Sequence, residues 1–128
     1  MPKLSENDLK IILKEGKFLT DIGYTVSHNE YYVTYSRHDI KFMIGFEPYD
    51  DTSNVNILFI DKNEPFDIGW IAFVRDNIKI SAYKKTENII SLLHYINKNY
   101  TNITNYQYCK ESTPLIAEFI QKQITKRI

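Results

Sequence analysis

Tyr31-Tyr32-Val33-Thr34-Tyr35-Ser36-Arg37-His38-Asp39-Ile40-Lys41-Phe42-Met43-Ile44-Gly45-Phe46 decides the fold. Tyr31, Val33 and Tyr35 alternate with polar neighbours, and Ile40, Phe42, Ile44 and Phe46 take up the same alternation after a short interruption. Successive side chains of a strand point to opposite faces, so each run predicts a strand with one buried face. Ser36-Arg37-His38-Asp39 between them carries turn-forming side chains, which predicts a hairpin.

Toward the C-terminus, Val55, Ile57 and Phe59 predict a third strand. A fourth, with Ile68, Trp70, Ala72 and Val74 on one face, is predicted after the turn Asp61-Lys62-Asn63-Glu64-Pro65. In phase with Ile68 and Ala72, Trp70 is assigned to the core. Short connections favour an antiparallel meander. Met43, Leu58, Ile60, Ile71 and Phe73 alternate on the opposite face, and an apolar patch of that size is seldom left in water. One of the chain's own helices is expected to cover it, with a symmetry mate or a different protein as the alternatives.

Helices are predicted on both sides of the strands. Ser5 with Asp8 three residues on forms a capping-box-like start, followed by Leu9, Ile12, Leu13, Leu19 and Ile22 on one helical face. Gly23 ends this helix of about residues 6 to 22, and Gly16 weakens its middle unless close packing requires it. A second helix from about Thr86 to Asn99 buries Ile89, Leu92, Leu93 and Ile96. A third starts at Ser112 or Thr113, with Pro114 at its first position and Leu115, Ile116, Phe119, Ile120 and Ile124 following. Tyr100 to Lys110 is read as a loop. The expected architecture is α+β, in the order α-β-β-β-β-α-α: a four-stranded antiparallel meander sheet with one N-terminal and two C-terminal helices packed against it, in a single domain over residues 1–128.

Sixteen basic residues balance sixteen acidic ones, so no overall field draws the chain to nucleic acid or an anionic membrane. The balance hides an asymmetry. From Glu47 to Asp67 six acids stand against Lys62 alone, whereas from Lys79 to Ile128 eight bases face three acids. No run approaches the length of a membrane span, and Met1-Pro2-Lys3-Leu4-Ser5-Glu6 lacks the apolar core of a signal peptide. With the lone Cys109 excluding an internal disulfide, a cytoplasmic location is the expectation.

Catalytic and metal signatures are absent from the residue pattern. His28, His38 and His94 are far apart in sequence and share no ligand spacing, and paired cysteines are missing, so no metal is expected. Cys109 has no nucleophile motif around it and reads as a small apolar residue. Gly16, Gly23, Gly45 and Gly69 are dispersed, leaving no phosphate-binding loop and no expected cofactor. Glu47, Asp50 and Asp51 crowd around Tyr49 where the alternation stops at Pro48, a turn that presents charge. With Asp61, Glu64 and Asp67 they form the chain's acidic stretch.

In size and helix–strand order the chain resembles the small cytoplasmic immunity proteins that bacteria make to neutralise secreted polymorphic toxins. The features nearest to that group are the aromatic strands through Phe46-Glu47-Pro48-Tyr49-Asp50-Asp51 and the following Ile68-Gly69-Trp70. The group has no universal signature, so it transfers no residue roles. What the resemblance implies is inhibition by occupation, an acidic surface docked on a basic toxin domain such as a nuclease. Glu47, Asp50, Asp51, Asp61, Glu64 and Asp67 would then supply the charge and Tyr49 an anchor. The alternatives are a homodimeric module joined through the second sheet face, and a small enzyme built on Glu47, Asp50, Asp51 or a histidine.

Overall fold

A computed structural model describes residues 3–46, 53–81 and 84–126. Two short helices, α1 (Glu6–Glu15) and α2 (Lys17–Asp21), lead into five strands: β1 (Thr25–His28), β2 (Tyr32–Ser36), β3 (Ile40–Phe46), β4 (Ser53–Phe59) and β5 (Glu64–Asp67). A 3₁₀ turn (Ile60–Lys62) separates the last two. Helices α3 (Ile68–Asp76), α4 (Lys85–Lys98), α5 (Tyr100–Ile103) and α6 (Tyr106–Lys126) complete the chain. The strands pair in sequence order, every neighbour antiparallel. The α+β antiparallel meander is therefore present, with five strands where four were expected.

The central hairpin is as the alternation requires. Val33 sits opposite Ile44 and Tyr35 opposite Phe42, all four fully buried. The turn closes with the Arg37 N–H donating to the Ile40 carbonyl at 2.8 Å. Across β3, Phe42 faces Ile57 and Ile44 faces Val55. These side chains meet Leu92, Leu93 and Ile96 of α4 and Ile68, Ile71 and Ala72 of α3 in one hydrophobic cluster.

The predicted strand over Ile68–Val74 is instead α3. Ile-Gly-Trp-Ile-Ala-Phe-Val satisfies a period of two and a period of 3.6 alike, and the choice falls to its start. Asp67 is the N-cap, its carboxylate accepting the Trp70 N–H at 3.2 Å, and Ile68, Ile71 and Ala72 then recur at helical spacing as the buried face. The sheet position beside β4 is taken by β5, which contains Glu64 and Pro65 from the predicted turn. Pro65, lacking a donor, is tolerated because β5 is an edge strand. The opposite edge, β1, carries only half-buried Val26 among exposed residues, so its sequence shows no alternation.

Two helix boundaries also move. The N-terminal helix breaks at Gly16, whose added Cβ would lie 2.3 Å from the Tyr35 hydroxyl; the close packing that excuses a mid-helix glycine is this contact. Leu13 and Ile22 consequently turn outward, Ile22 being 49% exposed. Gly23 adopts φ +102° just after the helical segment, where a side chain would be strained. At the other end α6 begins at Tyr106, so Pro114 lies inside the helix, and the expected Tyr100–Lys110 loop contains α5 and the first turn of α6. Buried Cys109 and Ser112 seat that first part of α6. Arg75 clamps it by donating from Nε to Ser112 Oγ at 2.9 Å and from Nη2 to the Tyr108 carbonyl at 3.2 Å.

Among the described residues, the second sheet face is left without the expected helix cover. Ile71 is wholly buried on the inner face of α3, Phe73 lies on the same helix and Ile60 in the 3₁₀ turn, so three of the five apolar residues do not belong to that face. Met43 and Leu58 remain there, half-buried and outside the hydrophobic cluster, among Thr34, Ser36, Lys41 and Asn56. Helices therefore cover one face of the sheet, and the mixed polarity of the other removes the reason for a second layer.

Candidate functional site

Glu47, Tyr49, Asp50 and Asp51 lie outside the described residues. The ends that flank them, Phe46 and Ser53, form the last pair of the β3–β4 ladder. Asp61 is exposed past the far end of β4, and seven residues of strand put those two ends about 20 Å apart.

The other two acids are committed within the fold. Glu64 Oε1 accepts from the Tyr106 hydroxyl and Oε2 from Lys110 Nζ, both at 2.7 Å, tying β5 to α6. The Lys110 and Tyr106 hydrogen bonds hold the Glu64 carboxyl below its ordinary range. Because the folded-state value is depressed, its stabilising contribution is present above the ordinary carboxylate range and is lost as pH falls through the folded value. Thermal midpoints of the native chain and Glu64→Gln should therefore converge on acidification through that range. A gap that stays constant with pH would contradict the Glu64 linkage. Asp67 behaves oppositely: burial raises its pKa, and the Trp70 and Gly69 N–H groups only partly offset that.

The histidines do not converge. His28 is exposed on β1, His38 lies in the hairpin turn 3.9 Å from Asp39, and His94 on α4 has Nε2 2.7 Å from Glu15 Oε2. Cys109 is buried, its thiol donating to the Ile103 carbonyl at 3.2 Å, and burial pushes its pKa up to about 12. A thiol held protonated in this way is a poor nucleophile. An open groove of about 440 Å³ is lined by Asp76, His94, Tyr95 and Lys98, among others. There the Asp76 carboxylate accepts from the Tyr95 hydroxyl at 2.5 Å, which binds α3 to α4. Among the described residues, no three of His, Cys, Asp and Glu are placed to hold a metal ion.

The feature that stands out is an aromatic ridge where α3 and α6 meet. Arg75 reaches Ser112 while Trp70 packs on Phe119, so the two helices run antiparallel. Phe73 and Phe119 meet edge-on with centroids 4.7 Å apart, and Trp70 stands 6.0 Å from each. Trp70 is 36% exposed, and Leu115, Ile120 and Ile124 on α6 are exposed at 38%, 41% and 50%. Ser112 is the last fully buried residue of α6, and the helix carries on for about four turns past it, with Ile116 packed on the core and Phe119 on α3. Along that length Leu115, Phe119, Lys122 and Lys126 fall at spacings that put them in one row, with Ile116, Ile120 and Ile124 in the next.

Sequence reasoning placed Trp70 in the core and so missed this ridge. Two signals pointed to it: Asp67 ahead of residues at helical spacing, and apolar positions on α6 spread more widely than one buried stripe requires. No family model, curated protein or solved structure matches the chain significantly. No described helix is long and apolar enough to cross a membrane.

Proposed function

We propose that this chain is a protein-binding domain that acts without chemistry of its own, and that in its specific form it is a cytoplasmic immunity protein neutralising a cognate toxin by covering it. The single observation that carries the binding reading is the ridge in which Trp70 and Leu115 stand exposed beside half-buried Phe73 and Phe119. Aromatic side chains supply large contact area at small entropic cost, which is why tryptophan and tyrosine dominate binding hot spots. The immunity form draws on the resemblance in size and element order, and on the acidic stretch. Glu47, Asp50, Asp51 and Asp61 would steer a basic toxin domain and Tyr49 would add an anchor, while Glu64 and Asp67 serve mainly to hold the fold.

A photo-crosslinking residue at position 115 and a control at position 34 on the open sheet face test this in the native host. A discrete heterologous adduct is expected from position 115 and not from 34, and it should vanish when Trp70 and Phe119 are both alanine. The captured protein should also inhibit growth unless this chain is co-expressed. Equal labelling from both positions would sink the binding surface, and a harmless captured protein would sink the immunity form.

A further inference from the structure

We propose that the ridge receives an acidic amphipathic helix of the partner protein, whose apolar side lies on Trp70, Leu115 and Phe119 and whose carboxylates meet Lys122 and Lys126. This rests on the protein-binding reading above, not on the basic toxin of its immunity form, and adds the chemistry of the docked segment. The ridge sets exposed Trp70 and Leu115 beside half-buried Phe119, and its continuation along α6 is cationic: Leu115 and Phe119 are followed in the same row by Lys122 and Lys126. From Leu115 to Lys126 the row runs about 16 Å, the length of three turns of a docked helix. Carboxylates one or two turns beyond the partner's apolar side chains would reach both ammonium groups.

Lys122 is bonded to Glu118 of its own helix at 3.0 Å, but both side chains are more than 60% exposed. An exposed pair of that kind is worth only a few tenths of a kcal/mol and exchanges partners readily. Lys126 lies in the last turn of α6, where a cation also complements the helix dipole. A second copy of this chain is a poorer occupant. Its own ridge would bring two more lysines, and the nearest carboxylate of the adjoining row, Glu118, is the one already taken by Lys122.

The probe is a synthetic helix of about five turns with a leucine row flanked by glutamates, set against the same peptide with lysine at every glutamate position. Trp70 is the sole tryptophan, so its emission reports occupancy of the ridge directly. The glutamate peptide should bind saturably with a blue shift, at least about tenfold more tightly than the lysine peptide, and should weaken with added salt. The double variant Lys122→Glu, Lys126→Glu, whose sites are exposed and whose fold circular dichroism would verify, should invert that preference. Equal affinity for the two peptides, an absent salt effect, or no emission shift with either would overturn the proposal. So would a solution mass of two copies that alanine at Trp70 and Phe119 reduces to one. If the crosslinked adduct needs Trp70 and Phe119 but ignores the charge reversal, the binding surface stands and the acidic segment falls; if it needs neither, both fall.

Discussion

Aspartate in place of Ile71 is expected to leave the chain unfolded, whereas aspartate in place of Trp70, one residue earlier, should leave it folded with reduced stability. Ile71 is fully buried on the inner face of α3, within the cluster that includes Leu92, Leu93 and Ile57. A carboxylate there would have no partner, a burden of several kcal/mol against a total stability of about 5–15 kcal/mol for a domain. Ile71→Ala gives the graded version, an expected loss of about 2–5 kcal/mol from lost burial and the cavity left behind. Trp70 lies about 100° round the same helix, where it is 36% exposed and has partial burial plus ring contacts with Phe73 and Phe119, each worth about 0.5–1.5 kcal/mol, to lose. The contrast also decides between helix and strand: a strand over Ile68–Val74 would bury Trp70 with Ile68 and Ala72 and turn Ile71 away. Circular dichroism of the two aspartate variants reads it directly, and the reverse outcome, Ile71→Asp folded and Trp70→Asp unfolded, would refute the helix.

Gly16→Ala should be the most damaging methyl addition in the N-terminal region. Its Cβ would come 2.3 Å from the Tyr35 hydroxyl and 2.7 Å from the ring carbon bearing it. Tyr35 has no room to retreat, being fully buried, and its hydroxyl donates to the Ile12 carbonyl at 3.3 Å. Burial has already pushed that phenol's pKa up to about 12, so it remains a neutral donor at ordinary pH. Overpacking of this kind costs about 1–3 kcal/mol. Tyr35→Phe removes the nearest clashing atom along with one hydrogen bond. The double variant should therefore recover part of the loss, giving a coupling of about 1 kcal/mol in a double-mutant cycle. Strict additivity would mean that Gly16 is required for another reason.

The parts of this fold that were legible are those in which one face is buried along a whole element. The second predicted helix, Thr86–Asn99, matches α4 to within a residue at each end, because Ile89, Leu92, Leu93 and Ile96 repeat against a polar back. β2 and β3 were legible for the same reason with a period of two. β1 was not, since an exposed edge strand buries too little to leave a pattern. The start of α6 was hidden by Pro114, whose preference for a first helical turn is real but was outweighed here. Asn105 Oδ1 accepts the Tyr108 N–H at 3.1 Å, and Cys109 and Ser112 are seated against the body, so the helix is already formed ahead of the proline.

The candidate site was less legible than the fold because acidity is a property of composition, and availability is a property of neighbours. Glu64 is paired with Lys110, which is 46 positions away in the chain, and Asp67 is buried as the cap of the helix it begins. The Glu64 pairing has no local signature, and the Asp67 cap has one that the competing period of two obscures. Periodicity and composition alone determined the α+β class, the antiparallel hairpin and the amphipathic α4, since each depends on residues a few positions apart. Only the tertiary structure decided that Trp70 faces outward, that Ile71 faces inward and that Glu64 is bound. The run Ile68–Val74 fits helix and strand equally, and the choice was made by the Asp67 cap and by β5 already occupying the sheet edge.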